Sequence, residues 1–184
     1  MIMSNKTYKH VAETRITISE LMLPSHANFS GKIHGGYVLS LLDQIAFTCA
    51  SKHSGEYCVT ASVDTVDFLN PIEVGELVTM KASINFVGRT SMVVGVRVEA
   101  ENIRTGKKKH CNSSYFTMVA KNKDGKSIKV PGLIVNDELE VRRFLKAIKR
   151  IEMKKKRQEE FDSDDFVPHN YIKYLENYNV KIEL

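Results

Sequence analysis

Apolar and polar side chains alternate along five stretches of the chain. Strict alternation predicts half-buried β-strands, because successive side chains of a strand point to opposite faces of a sheet. The predicted strands are 13–22, Tyr57–Phe68, Glu76–Val87, Thr90–Ala100 and Lys108–Ala120. In Tyr57–Phe68 the alternating apolar residues are Val59, Ala61 and Val63. Short connections between the last four strands favour antiparallel neighbours.

One long stretch, from Gly36 to about His53, has helical spacing and is mostly apolar. Its polar side chains form one narrow stripe, made of Ser40, Gln44, Thr48 and Ser51. A helix of this kind is expected to be largely enclosed by other elements. A single antiparallel sheet and an enclosed helix can bury each other only if the sheet curls around the helix. The order of elements therefore predicts an α+β hotdog fold, with a curled antiparallel sheet around one long central helix.

The chain changes character after Ala120, where turn-forming residues precede a second helical pattern. That pattern, Asn136–Arg157, is amphipathic, with acidic residues near its start and lysines near its end, as the helix dipole favours. We therefore predict one domain over 1–135 and a helical extension over 136–184. The basic face of this helix is explained either by solvation or by contact with an anionic partner, and solvated helix faces are the more common of the two.

Charge and composition exclude several classes of function. The 184 residues carry a net charge of +5, but much of the basic excess lies in 142–157, so the overall charge does not indicate nucleic-acid binding. No apolar run approaches the ~18 residues of a membrane span, and the first residues contain no apolar core of a signal peptide. We expect a cytoplasmic protein that binds neither nucleic acid nor membrane.

The three cysteines, Cys49, Cys58 and Cys111, lack metal-ligand spacing and are expected to be small buried hydrophobes without a bound metal.

Candidate chemistry is concentrated between Pro24 and Ala46. Asp43 is a lone acid in the apolar helix, and a carboxylate is costly to bury unless it is paired, so a role as general base competes with a structural role. Gly35 and Gly36 would offer backbone N–H groups at the start of the helix, where they could bind an oxyanion or simply form a turn. Asn28 and His34 lie in the preceding loop, where Asn is common for conformational reasons and a lone His is more often structural than catalytic.

Taken together, LPSHANFSGKIHGGYVLSLLDQIA at 23–46 resembles the signature of hotdog-fold acyl-CoA thioesterases, in the branch of small bacterial acyl-CoA hydrolases and the brain-type acyl-CoA hydrolase. The stretches at 59–78 and 87–102 are also similar to this family, so the resemblance covers roughly residues 10–120. It does not extend to the chain beyond about residue 135.

The resemblance implies hydrolysis of an acyl-CoA thioester to a free acid and CoA, without a further cofactor. It implies that Asp43 acts as general base or nucleophile, that Gly35 contributes to the oxyanion hole, and that Asn28 orients the water or the carbonyl, with His34 as a secondary catalytic candidate. It also assigns CoA contacts, which are Gly36 and the turn of Arg89, Thr90 and Ser91.

The resemblance further implies a homo-oligomer, a dimer of hotdogs that assembles into a trimer of dimers, with Asn28 of one subunit facing Asp43 of another. Two alternatives remain open at this point. One is another hotdog enzyme, such as an aryl-CoA thioesterase or a dehydratase, which would rely on His34. The other is a regulator that binds acyl-CoA without turnover.

Overall fold

The structure, a computed structural model, describes residues 8–163, 165–175 and 177–183. Residues 1–7, in which we expect no signal peptide, lie outside the described residues. The chain separates into two compact units, Met1–Ala147 and Ile148–Leu184. The predicted domain boundary at residue 135 stays a prediction.

Seven strands and four helices make up the described chain. In chain order they are β1 (Tyr8–His10), α1 (Val11–Thr14), β2 (Ile16–Leu21), α2 (Gly35–Ser54), β3 (Tyr57–Val63), β4 (Glu76–Val87), β5 (Ser91–Asn102), β6 (Lys108–Lys121), β7 (Gly132–Ile134), α3 (Glu138–Asp162) and α4 (Pro168–Leu175). A short 3-10 turn, Pro24–His26, lies between β2 and α2.

Five of the strands form one antiparallel sheet in the order β2-β4-β5-β6-β3. Its inner face packs against α2, and the buried core lies between them, because the strands alternate apolar residues toward the helix. β6, for example, buries Asn112, Ser114, Phe116 and Met118, which were predicted to share one side. The curled sheet around one helix confirms the hotdog prediction, and α3 confirms the helical extension.

The two ends of α2 are set by local sequence. His34 is the N-cap, and its Nδ1 accepts a hydrogen bond from the Gly36 N–H at 3.0 Å. Gly55 closes the helix in the left-handed conformation, with φ of 77°, and its N–H donates to the Ser51 carbonyl oxygen. A glycine suits this position because it has no Cβ to clash in that conformation.

One predicted strand needs correction, and one pair of short strands was not predicted. The strand predicted over Tyr57–Phe68 ends at Val63, because only isolated hydrogen bonds, such as Asp64 N–H to the Tyr115 carbonyl oxygen, hold the chain to β6 beyond that point. The small parallel pair of β1 and β7 carries no alternation long enough to be recognised and was missed.

The expectation that α2 is enclosed is wrong for a single chain. Its buried side chains lie on one face, and they are Val38, Leu42, Ile45, Ala46, Cys49, Ala50 and His53. On the opposite face Leu39 and Phe47 remain more than a third exposed. The sheet therefore covers about half of the helix and leaves the other half open.

The second unit contains the end of α3 and all of α4. Along α3, Lys155 pairs with Glu159 and Lys156 with Glu160, each one helical turn away. No helix among the described residues is long and apolar enough to cross a membrane.

Candidate active site

Asp43 lies on the open face of α2, and its carboxylate is bound by a side chain from the sheet. The Thr60 hydroxyl donates to Asp43 Oδ1 at 2.6 Å. A hydroxyl that donates to a carboxylate stabilises and orients its ionised form. The second carboxylate oxygen, Oδ2, has no hydrogen-bond donor among the described residues, so it can bind a water molecule or accept its proton.

The register of β3 on β6 explains why Thr60 reaches the helix. Cys58 is opposite Ala120 and Thr60 is opposite Met118, so both point to the inner face with these buried partners. The Thr60 hydroxyl also lies 3.4 Å from Met118 Sδ.

The alternating apolar residues of this strand therefore do not form its core-facing side. Val63 is 39% exposed and Ala61 is also exposed, whereas Cys58 is buried. The register shifts between Thr60 and Ser62, and the apolar alternation lies on the side that the core does not cover.

An open cleft adjoins the Asp43–Thr60 pair. It lies between the middle of α2 and the start of β3 and is lined by Asp43, Gln44, Phe47, Thr48, Tyr57, Cys58, Val59 and Thr60. The rings of Phe47 and Tyr57 meet edge to face with their centroids 5.6 Å apart, which gives the cleft an aromatic end. The cleft thus places a carboxylate beside apolar surface, but Asp43 itself is exposed. Burial of this carboxylate requires a second surface that covers the open face.

The N-terminus of α2 presents backbone donors with different availability. The Gly36 N–H is engaged by His34 Nδ1, so it would have to exchange that partner for a ligand. The Gly35 N–H makes no hydrogen bond to any residue that the structure describes. It is one of the donors that an α-helix leaves unsatisfied at its start. Gly35 is therefore the better placed of the two for an oxyanion.

Phe68 covers Gly35. A Cβ at Gly35 would lie 3.4 Å from the Phe68 ring, which is about an ordinary van der Waals contact, so the ring lies directly over this residue. The segment that carries Phe68 is held along β6, where Asn112 Nδ2 donates to the Asp67 carbonyl oxygen at 2.8 Å and the Leu69 N–H donates to the Cys111 carbonyl oxygen at 2.9 Å.

Asn28 stabilises its own turn in this chain. Its side-chain oxygen accepts from Ser30 N, Ser30 Oγ and Lys32 N at 2.9, 2.8 and 3.2 Å. Gly31 completes the turn with φ of 78°. The Asn28 amide nitrogen has no acceptor within the part of the chain that the structure describes, so it can donate to a ligand. Asn28 does not line the cleft at Asp43 within one chain.

The predicted CoA-binding turn follows β4. The Thr90 carbonyl oxygen accepts from Ala120 N–H, and Ser91 pairs with Val119, which in turn pairs with Val59 of β3. Two strand spacings of ~4.8 Å separate Ser91 from Val59. The turn therefore lies at the same end of the sheet as the cleft, with the Arg89 side chain exposed beyond it.

Thr60 is the site residue that sequence reasoning missed. The available signal is that Cys58 and Thr60 lie on the side of the predicted strand opposite to Val59, Ala61 and Val63. No group of three or more His, Cys, Asp or Glu side chains in the described ranges could hold a metal ion. All three cysteines are buried, as predicted.

The chain is similar in sequence to known proteins over the part that contains α2 and β3. Residues 30–107 match the model of the thioesterase superfamily. Protein VdlD of Helicobacter pylori is 45% identical over 141 residues, which are 77% of this chain and 80% of that protein. An uncharacterised acyl-CoA thioester hydrolase, YkhA of Bacillus subtilis, is 32% identical over 146 residues, 79% of this chain and 85% of that protein.

Solved structures agree with the fold. A hexameric acyl-CoA thioesterase solved without ligand is 38% identical, with a TM-score of 0.80 over 82% of this chain and 97% of that one. The acyl-CoA hydrolase of Staphylococcus aureus, solved with butyryl coenzyme A and coenzyme A, is 31% identical, with a TM-score of 0.78 over 92% of this chain and 99% of that one. The S. aureus enzyme was also solved with alanine in place of a single Asn, Asp or Thr. The chain belongs to the thioesterase superfamily, among its hotdog-fold acyl-CoA thioesterases.

Proposed function

We propose that this chain hydrolyses acyl-CoA thioesters, with Asp43 as the general base of a site completed by a second subunit. The main support is the Asp43–Thr60 hydrogen bond of 2.6 Å, at a cleft on the open face of the central helix. A carboxylate held by a hydroxyl and facing an apolar cleft suits the activation of water beside a thioester.

In the proposed reaction Asp43 takes a proton from a water molecule, and the water oxygen attacks the thioester carbonyl carbon. Thr60 keeps the carboxylate oriented by donating to Oδ1, so that Oδ2 receives the proton. The tetrahedral intermediate then breaks its carbon–sulfur bond. The CoA thiolate leaves and takes up the proton from Asp43, which restores the carboxylate.

The negative charge on the tetrahedral oxygen needs donors that are in place before the reaction. The Gly35 N–H at the start of α2 supplies one, aided by the positive end of the helix dipole. Phe68, which lies over Gly35, would keep water away from this donor. His34 then acts as a positioning residue, because its ring caps the first turn of α2.

The second subunit would supply Asn28 and cover the open face of α2. The S. aureus structures support this choice of residues, because they include variants of one Asn, one Asp and one Thr. β3 is an edge strand of the sheet, so its free edge is available to the same strand of a second copy. The hexameric relative supports a trimer of such dimers. CoA would run past the Arg89–Ser91 turn at the same end of the sheet.

A panel of acyl-CoAs, assayed with a thiol-reactive dye, tests the activity. We expect release of CoA from at least one chain length. If the folded oligomer binds acyl-CoA but releases no CoA from any member of the panel, the chain is a regulator and the proposal fails.

Mixing two inactive variants tests the shared site. Asp43→Ala and Asn28→Ala should each lose most activity as pure oligomers. After subunit exchange the mixture should recover roughly a quarter of the wild-type activity, since half of the dimers are mixed and one of the two sites in each is intact. No recovery, with exchange verified by mass spectrometry of tagged subunits, would place both residues in one chain's site.

Hydroxylamine distinguishes the general base from a nucleophile. A nucleophilic Asp43 would form a mixed anhydride with the acyl group. Attack of hydroxylamine on its aspartyl carbonyl would release the free acid and leave a hydroxamate on the protein, whereas attack on its acyl carbonyl would release an acyl hydroxamate. We expect no such mass shift on the Asp43 peptide.

A cytoplasmic location stays a prediction, which fractionation of the source cells would test.

A further inference from the structure

We propose that the first unit binds a small anion with two or more phosphate groups in a groove on the outer face of its sheet. This outer groove, of about 500 Å³, lies between the outward side chains of β4, β5 and β6 and the first turns of α3. Its size is within the range of small-molecule sites. The proposal does not depend on the hydrolysis described above, because the site is on the other face of the sheet from Asp43 and Thr60.

The outer groove is strongly basic. No Asp or Glu is among the described residues that line it. Its cationic side chains come from the residue before β2, from β4 and β5, and from α3, and they are Arg15, Lys81, Arg97, Arg142, Arg143 and Lys146. Elements that are distant in sequence thus converge on one cluster of like charge, which is unfavourable unless an anion or counterions compensate it.

Two carboxylates neutralise only part of this charge. Glu140 pairs with Arg15 at 2.6 Å. Glu99 pairs with Lys81 at 2.8 Å and with Arg97 at 2.9 Å. Hydrogen bonds from Lys81 and then Arg97 lower the pKa of Glu99 to about 2, as expected beside concentrated positive charge. An excess of positive charge remains after both carboxylates are counted.

Arg142 and Arg143 make no ion pair with any residue that the structure describes. Both line the outer groove from the first turns of α3. A guanidinium is a planar fork of donors that binds phosphate oxygens in pairs, whereas an isolated surface lysine acts as a point charge. Two adjacent guanidiniums facing one groove therefore favour a ligand with more than one phosphate group.

The floor of the outer groove is polar where a sheet under a helix is usually apolar. Asn85 is 5% exposed and lies at a register shift of β4. Its Oδ1 accepts from Ser83 Oγ at 3.1 Å, which leaves the amide nitrogen as a donor. That nitrogen lies where a Cβ on Gly95 would be only 2.2 Å away, so a glycine is required beside it. No described residue accepts from this nitrogen, and an anion in the outer groove can.

The basic face of the second predicted helix thereby has an explanation. From the sequence alone, exposure to solvent is a more common explanation of such a face than contact with an anionic partner. The structure turns part of it, Arg142, Arg143 and Lys146, toward the sheet. The phosphates could belong to a free polyphosphate or to the nucleotide end of CoA, and these sources share the chemistry that the outer groove recognises.

Inorganic pyrophosphate is the probe that tests the proposal, by isothermal titration calorimetry on the full chain at low ionic strength. We expect saturable binding by the wild type, weakened at least about tenfold in the double variant Arg142→Gln/Arg143→Gln, because each charged hydrogen bond contributes on that scale. The matched control, Lys149→Gln/Lys156→Gln, removes two charges from the same helix outside the outer groove and should bind pyrophosphate like the wild type.

Asn85→Asp is the second variant. It retains an acceptor for Ser83 but replaces the amide donor with a negative charge, so it should also weaken pyrophosphate binding, with circular dichroism as the check on folding.

CoA competition identifies the source of the phosphates, since displacement of pyrophosphate by CoA indicates the nucleotide end of CoA and no displacement indicates a free polyphosphate.

The proposal is overturned if the wild type does not bind pyrophosphate. Equal affinities of the wild type and the Arg142→Gln/Arg143→Gln variant would also overturn it. The kcat of acyl-CoA hydrolysis, measured at saturating substrate on the same samples, is expected to persist in all of these variants, so a failure of this proposal is distinguishable from a failure of the proposed activity.

Discussion

Asp43 and His53 are two titratable side chains of one helix in opposite surroundings. Asp43 is exposed, and a hydroxyl from β3 binds it. His53 is fully buried, and its Nε2 donates to the Pro131 carbonyl oxygen at 2.9 Å. Burial lowers the pKa of His53. The helix thus has a covered face that stabilises the fold and an open face that carries the proposed general base.

The difference shows that apolar content does not indicate which face of a helix is covered. Leu39 and Phe47 on the open face are as apolar as Leu42 on the covered face. What separates them is the sheet, which reaches only one side. An open apolar face on an otherwise well-packed helix indicates an interface.

The largest expected effect is on the open face. Asp43→Asn keeps the shape of the side chain and removes its ability to take a proton. We expect kcat to fall by ~10²–10⁴, the usual contribution of a general base. Steady-state CoA release measures it, and the solution mass should not change. Lys52→Gln, an exposed position on the same helix, is the control and should keep full activity.

Leu42→Ala and Leu39→Ala compare the two faces directly. Leu42 is fully buried, so its truncation should lower the free energy of unfolding by about 2–5 kcal/mol. Leu39→Ala should change the stability of the subunit by only about 0.5 kcal/mol. Its main effect should be a lower solution mass at low concentration, if a second copy covers the open face. Equal destabilisation of the subunit by both variants would contradict the contrast between the faces.

Thr60→Val sharpens the assignment of the open face. It replaces the hydroxyl with a methyl group of similar size and so removes the donor to Asp43. A hydrogen bond to a charged group contributes about 1.5–3 kcal/mol, so kcat should fall roughly 10–100-fold. Thr60→Ser retains the hydroxyl and should recover most of the activity. If valine is as active as threonine, the hydrogen bond has no catalytic role.

His53 gives the smallest effect, on the pH dependence of stability. Its folded-state pKa lies below the unfolded value of ~6.5, so the unfolded chain binds the proton first as the pH falls. Stability is therefore full above about pH 6.5 and is lost as the pH falls from there toward the folded-state pKa, by at most ~1.4 kcal/mol per pH unit. Denaturant unfolding between these values measures it. His53→Gln, which can still donate to Pro131, should flatten this slope.

Much of the fold followed from periodicity. The strands β4, β5 and β6 match their predicted stretches closely, because their alternation is long and one face of each is buried. The prediction for β3 was the least accurate of these. β3 is an edge strand with a register shift, and its larger apolar residues lie away from the core. Alternation identifies the two faces of a strand but not which one the core covers.

The candidate site followed from sequence in part. Asp43, Gly35 and Asn28 were predicted because the spaced motif at 23–46 resembles the signature of acyl-CoA thioesterases, whereas each residue alone also had a structural explanation. Thr60 was not identified, since a lone threonine in a strand has no distinguishing pattern. The structure also separates Asn28 from the cleft of its own chain, which a motif read along one sequence cannot reveal.

The sequence by itself determined the order of the elements, the hotdog class and the position of the carboxylate on its helix, because these depend on local spacing. Only the tertiary structure decided which side of the helix stays open, which strand residue meets Asp43, and how Arg15 and basic residues from β4, β5 and α3 form one outer groove. These features depend on the register and curl of the sheet, which bring together residues that are far apart along the chain.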